Sequence, residues 1–489
     1  MKRVGYFSLL SISVGMLFVT AAWAIVPPAD FAHAVGYSAG GFSPVSVAVA
    51  DLNGDGKLDI VIANQCVDNT CATGTVGVLL GNGDGTFQAV VTYASGGNKP
   101  AALTVADVNK DGKPDVLVVN ACVSSTNCSD GLLGMLLGNG DGSLQGVVTY
   151  STGGSAYGVG TGDANHDGKL DAIVGTVNGV ASLIGNGDGT FKSPIHSVAG
   201  GYGYLVVADF NGDGIPDAAV DLQPGSSRNP RVNGQIGVLF GNGDGTFNGP
   251  FGIDSGGFFP QGLALADMDR DGHVDILVAN KLGHVNETAG SVVIFYSNGR
   301  GGFTTNFPLS IGGTTAAVLA GGDLNGDGVP DVAVSEGNLT TVITNGQVRH
   351  HDALGGPTVI AIADLNGDGQ ADLVAAVECF NCGSEASVLL SKPAPTKTTV
   401  TSSLNPSKAG QAVTFTATVT CSQRGPIADG TIISFFDGAK KIGTGVSSGS
   451  VATFTTTSLS AGTHTIKAKF SGYVYFKTSS GTVKQVVNP

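Results

Sequence analysis

The stretch DLNGDGKLD, residues 51–59, recurs six more times with one internal spacing, and this recurrence constrains the fold more than any other feature of the chain. The copies are 107–115 (DVNKDGKPD), 163–171 (DANHDGKLD), 209–217 (DFNGDGIPD), 267–275 (DMDRDGHVD), 323–331 (DLNGDGVPD) and 364–372 (DLNGDGQAD). Their starts lie 56, 56, 46, 58, 56 and 41 residues apart, so the chain is built from repeated supersecondary units. Every copy keeps an acid or amide at positions one, three, five and nine, with glycine at six. Seven independent polar turns would not hold that register.

Oxygen donors at alternate positions suit Ca²⁺, a hard cation that takes six to eight oxygens. The expected side-chain ligands are Asp51, Asn53, Asp55 and Asp59; Asp107, Asn109, Asp111 and Asp115; Asp163, Asn165, Asp167 and Asp171; and Asp209, Asn211, Asp213 and Asp217. The last three loops offer Asp267, Asp269, Asp271 and Asp275; Asp323, Asn325, Asp327 and Asp331; and Asp364, Asn366, Asp368 and Asp372. A backbone carbonyl can serve at position seven, where the side chain varies freely from Lys to Ile, His, Val and Gln. Mg²⁺ fits less well, because it demands stricter octahedral geometry and keeps its waters. An EF-hand is excluded: its twelfth position needs a bidentate Glu, and here stand Ile62, Val118, Val174, Val220, Val278, Val334 and Ala375. The cofactor expectation is therefore up to seven structural Ca²⁺.

Short β-branched runs flank each loop, "SVAVAD" before the first and "DIVIAN" after it. Each unit continues with "TVGVLLG", an "NGDG" turn and "TFQAVVTY" in its first copy, and Asn-Gly and Asp-Gly between apolar runs signal hairpins. Four antiparallel strands per unit, repeated seven times, read as a seven-bladed β-propeller. The segment FAHAVGYSAGG, 31–41, aligns with FQAVVTYASGG, 87–97. It is expected to supply the fourth strand of the last blade and so latch the ring, protecting a sheet edge.

These loops, with trailing GNGDGTF turns intact at 81–87, 185–191 and 241–247, resemble the FG-GAP or VCBS-type repeats of integrin-α-like propellers. The turn is altered at 138–144 and 297–303 and shortened near Asn345-Gly346. After KPAPT the texture becomes Thr- and Ser-rich with period-two alternation, as in a β-sandwich, and residues 397–489 resemble a bacterial Ig-like domain. The whole reading is all-β: a signal peptide at 1–24, a propeller over 25–391, a linker at 392–396 and the Ig-like sandwich at 397–489.

The signal peptide rests on Lys2 and Arg3, an apolar run, and the small-x-small site Ala22-Trp23-Ala24, with cleavage expected before Ile25. A membrane anchor is the competing reading, but the run is short. No later stretch is long enough to span a bilayer, so the processed chain is expected to be secreted or cell-surface, without a transmembrane segment. In that oxidising setting Cys66/Cys71, Cys122/Cys128 and Cys379/Cys382 are expected as local disulfides, each in the connection between second and third strands. Zinc is the rival for the Cys379/Cys382 pair, though no histidine accompanies it. Cys421 is left over as a free thiol or an intermolecular bridge.

The formal charge is −14, and removing Lys2 and Arg3 takes it to −16. Of 38 acidic residues 22 lie at the expected ligand positions, so seven Ca²⁺ would bring the total to about −2. The acidity is thus a metal requirement, and with no basic patch nucleic acid is disfavoured as a partner.

Antiparallel strands put the Asp loops on one face of the ring and the remaining connections on the other. The second face carries Phe42, Tyr157, Tyr202, Tyr204, Phe258 and Phe259 after the paired glycines, and Arg228 and Arg231 in the long connection 223–235. Aromatics and arginines on loops of a rigid scaffold suit recognition, although such aromatics also plug gaps between blades. The leading expectation is a calcium-stabilised binding or adhesion protein whose partner is a protein or glycan at the cell surface or outside the cell. A propeller enzyme acting on extracellular polysaccharide, lyase or hydrolase, is the alternative, and a purely structural surface component the third. Enzymatic activity is not expected: no Ser-His-Asp set stands at recognisable spacing, and the only histidine doublet, His350-His351, falls in the shortened hairpin of the sixth unit.

Overall fold

The computed structural model describes residues 31–68, 70–197, 202–222, 234–283, 289–306, 308–311, 316–336, 339–344, 347–352, 356–379, 383–393, 395–421, 427, 429–472 and 476–489. The expected signal peptide, Arg228, Arg231 and Cys382 lie outside the described residues, as do the side chains of Tyr202 and Cys379.

Asp residues open the second strand of every repeat, and that strand organises each sheet. In the first repeat Phe42–Ala50 pairs with Asp59–Cys66, which pairs with Thr75–Leu79, which pairs with Val91–Ala94, all antiparallel. Among the described residues seven such sheets follow one another in this order, the fifth carrying a short extra strand. First strands of neighbouring sheets touch in a closed cycle: Phe42–Ala50, Asn98–Ala106, Ala156–Gly162, Tyr202–Ala208, Phe258–Ala266, Ala316–Gly322, Gly356–Ala363 and back to Phe42–Ala50. They form the inner ring of a β-propeller, and each sheet is a blade.

The second strands explain why the repeats read as continuous apolar runs. Ile60 and Ile62 pack against Val374 and Ala376 of blade seven, whereas Val61 and Ala63 pack against Val116 and Val118 of blade two. Alternate residues therefore face opposite neighbours, so both faces of the strand are dry. The pattern runs round the ring through clusters joining each pair of neighbouring blades. At about 25 cal/mol per Å² of apolar area, these interblade cores are the main favourable contribution to the ring.

Closure follows the expectation from 31–41. Val35–Ser38 joins the sheet of Gly356–Ala363, Asp372–Cys379 and Gly383–Leu389, pairing antiparallel with the last of these. A recurring interblade contact is repeated at this seam. Tyr37 meets Phe87 edge-on at 5.4 Å between ring centroids, and Tyr150 meets Phe191 at 5.4 Å; where blade six meets blade seven, His351 meets Phe31 at 5.0 Å. Phe31 is buried and bridges to Ser391.

The C-terminal sandwich has one sheet of Thr396–Ser402, Val413–Cys421 and Val451–Thr456, and a second of five strands. Period-two burial along Val413–Cys421 puts Val413, Phe415, Ala417 and Val419 into a core with Ile433, Phe435 and Phe470. Among the described residues no helix is long and apolar enough to cross a membrane.

If the N-terminal strand closes the ring, Phe31→Ala should cost about 3 kcal/mol from lost burial, and deleting 31–38 should cost more by baring the edge of Gly383–Leu389. Thermal melting and size-exclusion chromatography read both. An unchanged melt for the deletion contradicts the closure.

Candidate functional site

Each Asp loop is shaped by its own carboxylates. The first Asp accepts a hydrogen bond from the N–H of the position-six glycine in all seven copies, at 2.7–3.0 Å, as from Asp51 to Gly56 and Asp364 to Gly369. The fifth accepts one from the N–H at position seven, at 2.8–3.0 Å. These bonds coil the backbone, and the sixth glycine sits at φ between +79 and +90°, where a side chain would be strained. Position four is also left-handed, and there Lys110, His166 and Arg270 adopt φ of 57–65° where other copies use glycine.

The ninth Asp is different from the rest. Asp59 is fully buried: its Oδ2 accepts from the N–H of Leu52 at 2.8 Å and its Oδ1 from that of Gly81 at 2.8 Å. It ties the start of its own loop to the end of the third strand. Asp115, Asp171, Asp217, Asp275 and Asp372 make the same two bonds, to Gly138, Gly185, Gly241, Ser297 and Ser391 on the third-strand side. Asp331 accepts from Leu324 and Asn325.

Burial raises the pKa of all seven ninth aspartates, and the loop's other carboxylates add repulsion. Asp217 and Asp372 are pushed up to about 6 and Asp331 to about 8. Other carboxylates of the loop thus add their field to a desolvated ninth carboxylate, which is the electrostatic setting a cation would relieve. In blade five ligand oxygens of Asp267, Asp269 and Asp275 all lie within 4.8 Å of one another. In blades one to three a lysine ammonium partly offsets the field, Lys57 Nζ lying 3.2 Å from Asp55 Oδ2. These exposed pairs contribute little.

The opposite face is built by the first strands as they enter the ring. Each contains an irregularity of register near its start. Tyr157 is 38%, Tyr204 43% and Phe259 40% exposed, in consecutive blades three, four and five. Asp221 Oδ1 accepts from the N–H groups of Gly203 and Tyr204 at 2.7 and 2.6 Å, fixing the backbone under Tyr204. Phe42 is half-buried. Phe258 corrects the expectation of an exposed aromatic: it is only 4% exposed, because strand alternation turns it inward while Phe259 points out.

The Cys66–Cys71 and Cys122–Cys128 disulfides both form on this face. The next blade grips each: Asn98 Nδ2 donates to the carbonyls of Cys71 and Ala72 at 2.9 and 3.0 Å, and Ser155 Oγ to that of Cys128 at 2.5 Å. Sequence reading missed these straps, although Asn98 and Ser155 both follow the paired glycines. Cys421 is half-buried at the end of the strand Val413–Cys421.

The family profile described as FG-GAP-like repeat matches residues 51–118 and 165–220. The chain carries FG-GAP-like repeats. A bacterial Ig-like domain of group 3 matches residues 400–488. Among curated proteins none matches the sequence. Similar solved structures include an Agrocybe aegerita lectin described for recognition of non-reducing terminal N-acetylglucosamine, at 18% identity and TM-score 0.42, covering 66% of this chain and 91% of the lectin. The extracellular domain of a putative one-component system from B. thetaiotaomicron is 10% identical with TM-score 0.44, covering 94% of this chain and 59% of that one. The V. cholerae biofilm matrix protein Bap1 is 13% identical with TM-score 0.36, covering 75% and 91%. At these scores the likenesses carry no weight for ligand or activity.

Two predictions separate the clamp from the cation. In chelator, Asp59→Ala should lower stability by about 2–4 kcal/mol by orphaning two buried N–H groups, while the exposed Asp55→Ala should be near neutral; with calcium both should lower the melt. In chelator, the native FG-GAP repeats bind protons at Asp217, Asp331 and Asp372 that the unfolded chain releases near its ordinary carboxylate pKa. Stability of the metal-free protein should therefore fall as pH rises from about 4 to 8, and calcium should abolish or reverse this slope. Melting curves across that range with and without calcium test it, and one common slope contradicts it.

Proposed function

We propose that the chain is an exported, calcium-stabilised binding or adhesion protein rather than an enzyme. Up to seven Ca²⁺ brace the FG-GAP loops, and a protein or glycan at the cell surface or outside the cell is recognised on the opposite face. The observation that carries this reading is the separation of chemistries. The Asp loops stand at one end of the first strands, with three carboxylates drawn together in blade five, while Tyr157, Tyr204 and Phe259 stand exposed at the other end. In each loop Asp and Asn side chains at positions one, three, five and nine, with the carbonyl at seven, would hold the cation, whose charge would relieve the carboxylate crowding. Two short disulfides favour an oxidising compartment and so support export.

Labelled protein bound to cells or extracellular matrix tests the division of labour. Below the melting temperature of the chelated protein, binding should persist without calcium; above it, binding should vanish together with the fold. Binding lost on chelation while the fold stays intact would instead make the Asp loops the ligand contact.

A further inference from the structure

Phe259 places a bulky aromatic side chain at a left-handed turn position. Its φ is +54°, in the left-handed region that costs a non-glycine residue roughly 1–2 kcal/mol. Its neighbours Phe258 and Pro260 are buried on either side, so the ring is pushed outward and stays 40% exposed. The same conformation occurs at Ser43 and Lys99 in the corresponding GGxxP turns of blades one and two, where the side chains are polar. A bulky aromatic here adds strain without burial, which points to work done on something outside the chain.

Blades three and four expose an aromatic at the same end by a different local device. Tyr157 is the extra residue of its bulge, between Ala156, opposite Thr176, and Gly158, opposite Gly175. Tyr204 lies in the irregular stretch between Tyr202 and Leu205, where Asp221 fixes the backbone. Bulges re-aim side chains, and in blades three and four they turn out Tyr157 and Tyr204. In blade five the extra residue is Gln261, and the left-handed turn two residues earlier turns out Phe259, so each of three adjacent inner strands begins with one exposed aromatic. The equivalent stretches of blades one, two, five, six and seven place Val45, Ala101, Gln261, Ala317 and Thr358 between the shifted pairs, so none of these blades has an aromatic there.

We propose that Tyr157, Tyr204 and Phe259 form an arc that stacks successive pyranose rings of a neutral polysaccharide; this rests on the reading of the opposite face as the binding face. A protein partner calls for a contiguous apolar centre ringed by polar contacts. Here the aromatics are single and set among glycine, proline and amide side chains, Gly158, Gly203, Pro260 and Gln261 among them. A sugar ring offers an apolar C–H face to each aromatic and hydroxyls to the polar surround. One exposed aromatic on each of three adjacent blades fits a ligand that repeats, each further contact being made at high effective concentration.

The test uses the calcium-loaded full chain in affinity gels containing β-glucan, mannan or xylan. At least one polysaccharide should retard the wild type. Phe259→Gly should raise the melting temperature by a few degrees while weakening retardation at least tenfold, and Phe259→Ser, the residue found at position 43, should weaken it equally. Tyr157→Ala and Tyr204→Ala should each weaken it severalfold with an unchanged melt. If all four variants bind like wild type, or Phe259→Gly lowers the melt, the assignment of the arc is overturned. If no polysaccharide retards the wild type while its cell binding is lost in Phe259→Gly, the carbohydrate class is wrong although the face still binds.

Discussion

A buried aspartate at the head of each second strand is the interaction on which the propeller depends. Its two oxygens take two backbone N–H groups that would otherwise be buried without partners, one from its own loop and, in six blades, one from the end of the third strand. The bonds lock the blade just where its dry interior begins, at Ile60 and its counterparts. The same burial makes the carboxylate's charge expensive, and the loop places further carboxylates beside it. Clamp and cation site are therefore one device: the Asp shapes the loop, and the proposed Ca²⁺ would let that Asp stay charged.

This coupling accounts for the acidic composition and for the tolerance at position seven. It also explains why repeats of unequal length still close into a ring. The loop and the second strand are held by local bonds and by interblade cores, while length varies in connections that neither the clamp nor the core uses. Function is then free to differ between blades on the far face, where Tyr157, Tyr204 and Phe259 break the sameness of the repeats.

Much of this was legible in the residues. Seven loops in register, β-branched runs and the match of Phe31 and Tyr37 to Phe87 and Tyr93 were enough to expect blades and a latch. Other features were hidden because spacing does not say which oxygen is buried. Asp59 reads like Asp55 in sequence, yet one is a clamp and the other is solvent-exposed. Left-handed backbone at Lys110, His166 and Arg270 could have been inferred from glycine at the same position elsewhere. Alternation along GGFFP could likewise have separated inward Phe258 from outward Phe259, and it was the turn context, not the strand, that drew attention to both.

The most direct measurement counts calcium bound per chain by equilibrium dialysis, together with the melting temperature of the same samples as calcium is withdrawn. The account predicts about seven ions per chain and a fall of at least ~10 °C as they leave, because each loss bares a crowded, buried carboxylate. A chain that binds no calcium, or that melts at the same temperature without it, would contradict the claim that the aspartate clamps and a cation hold the propeller together.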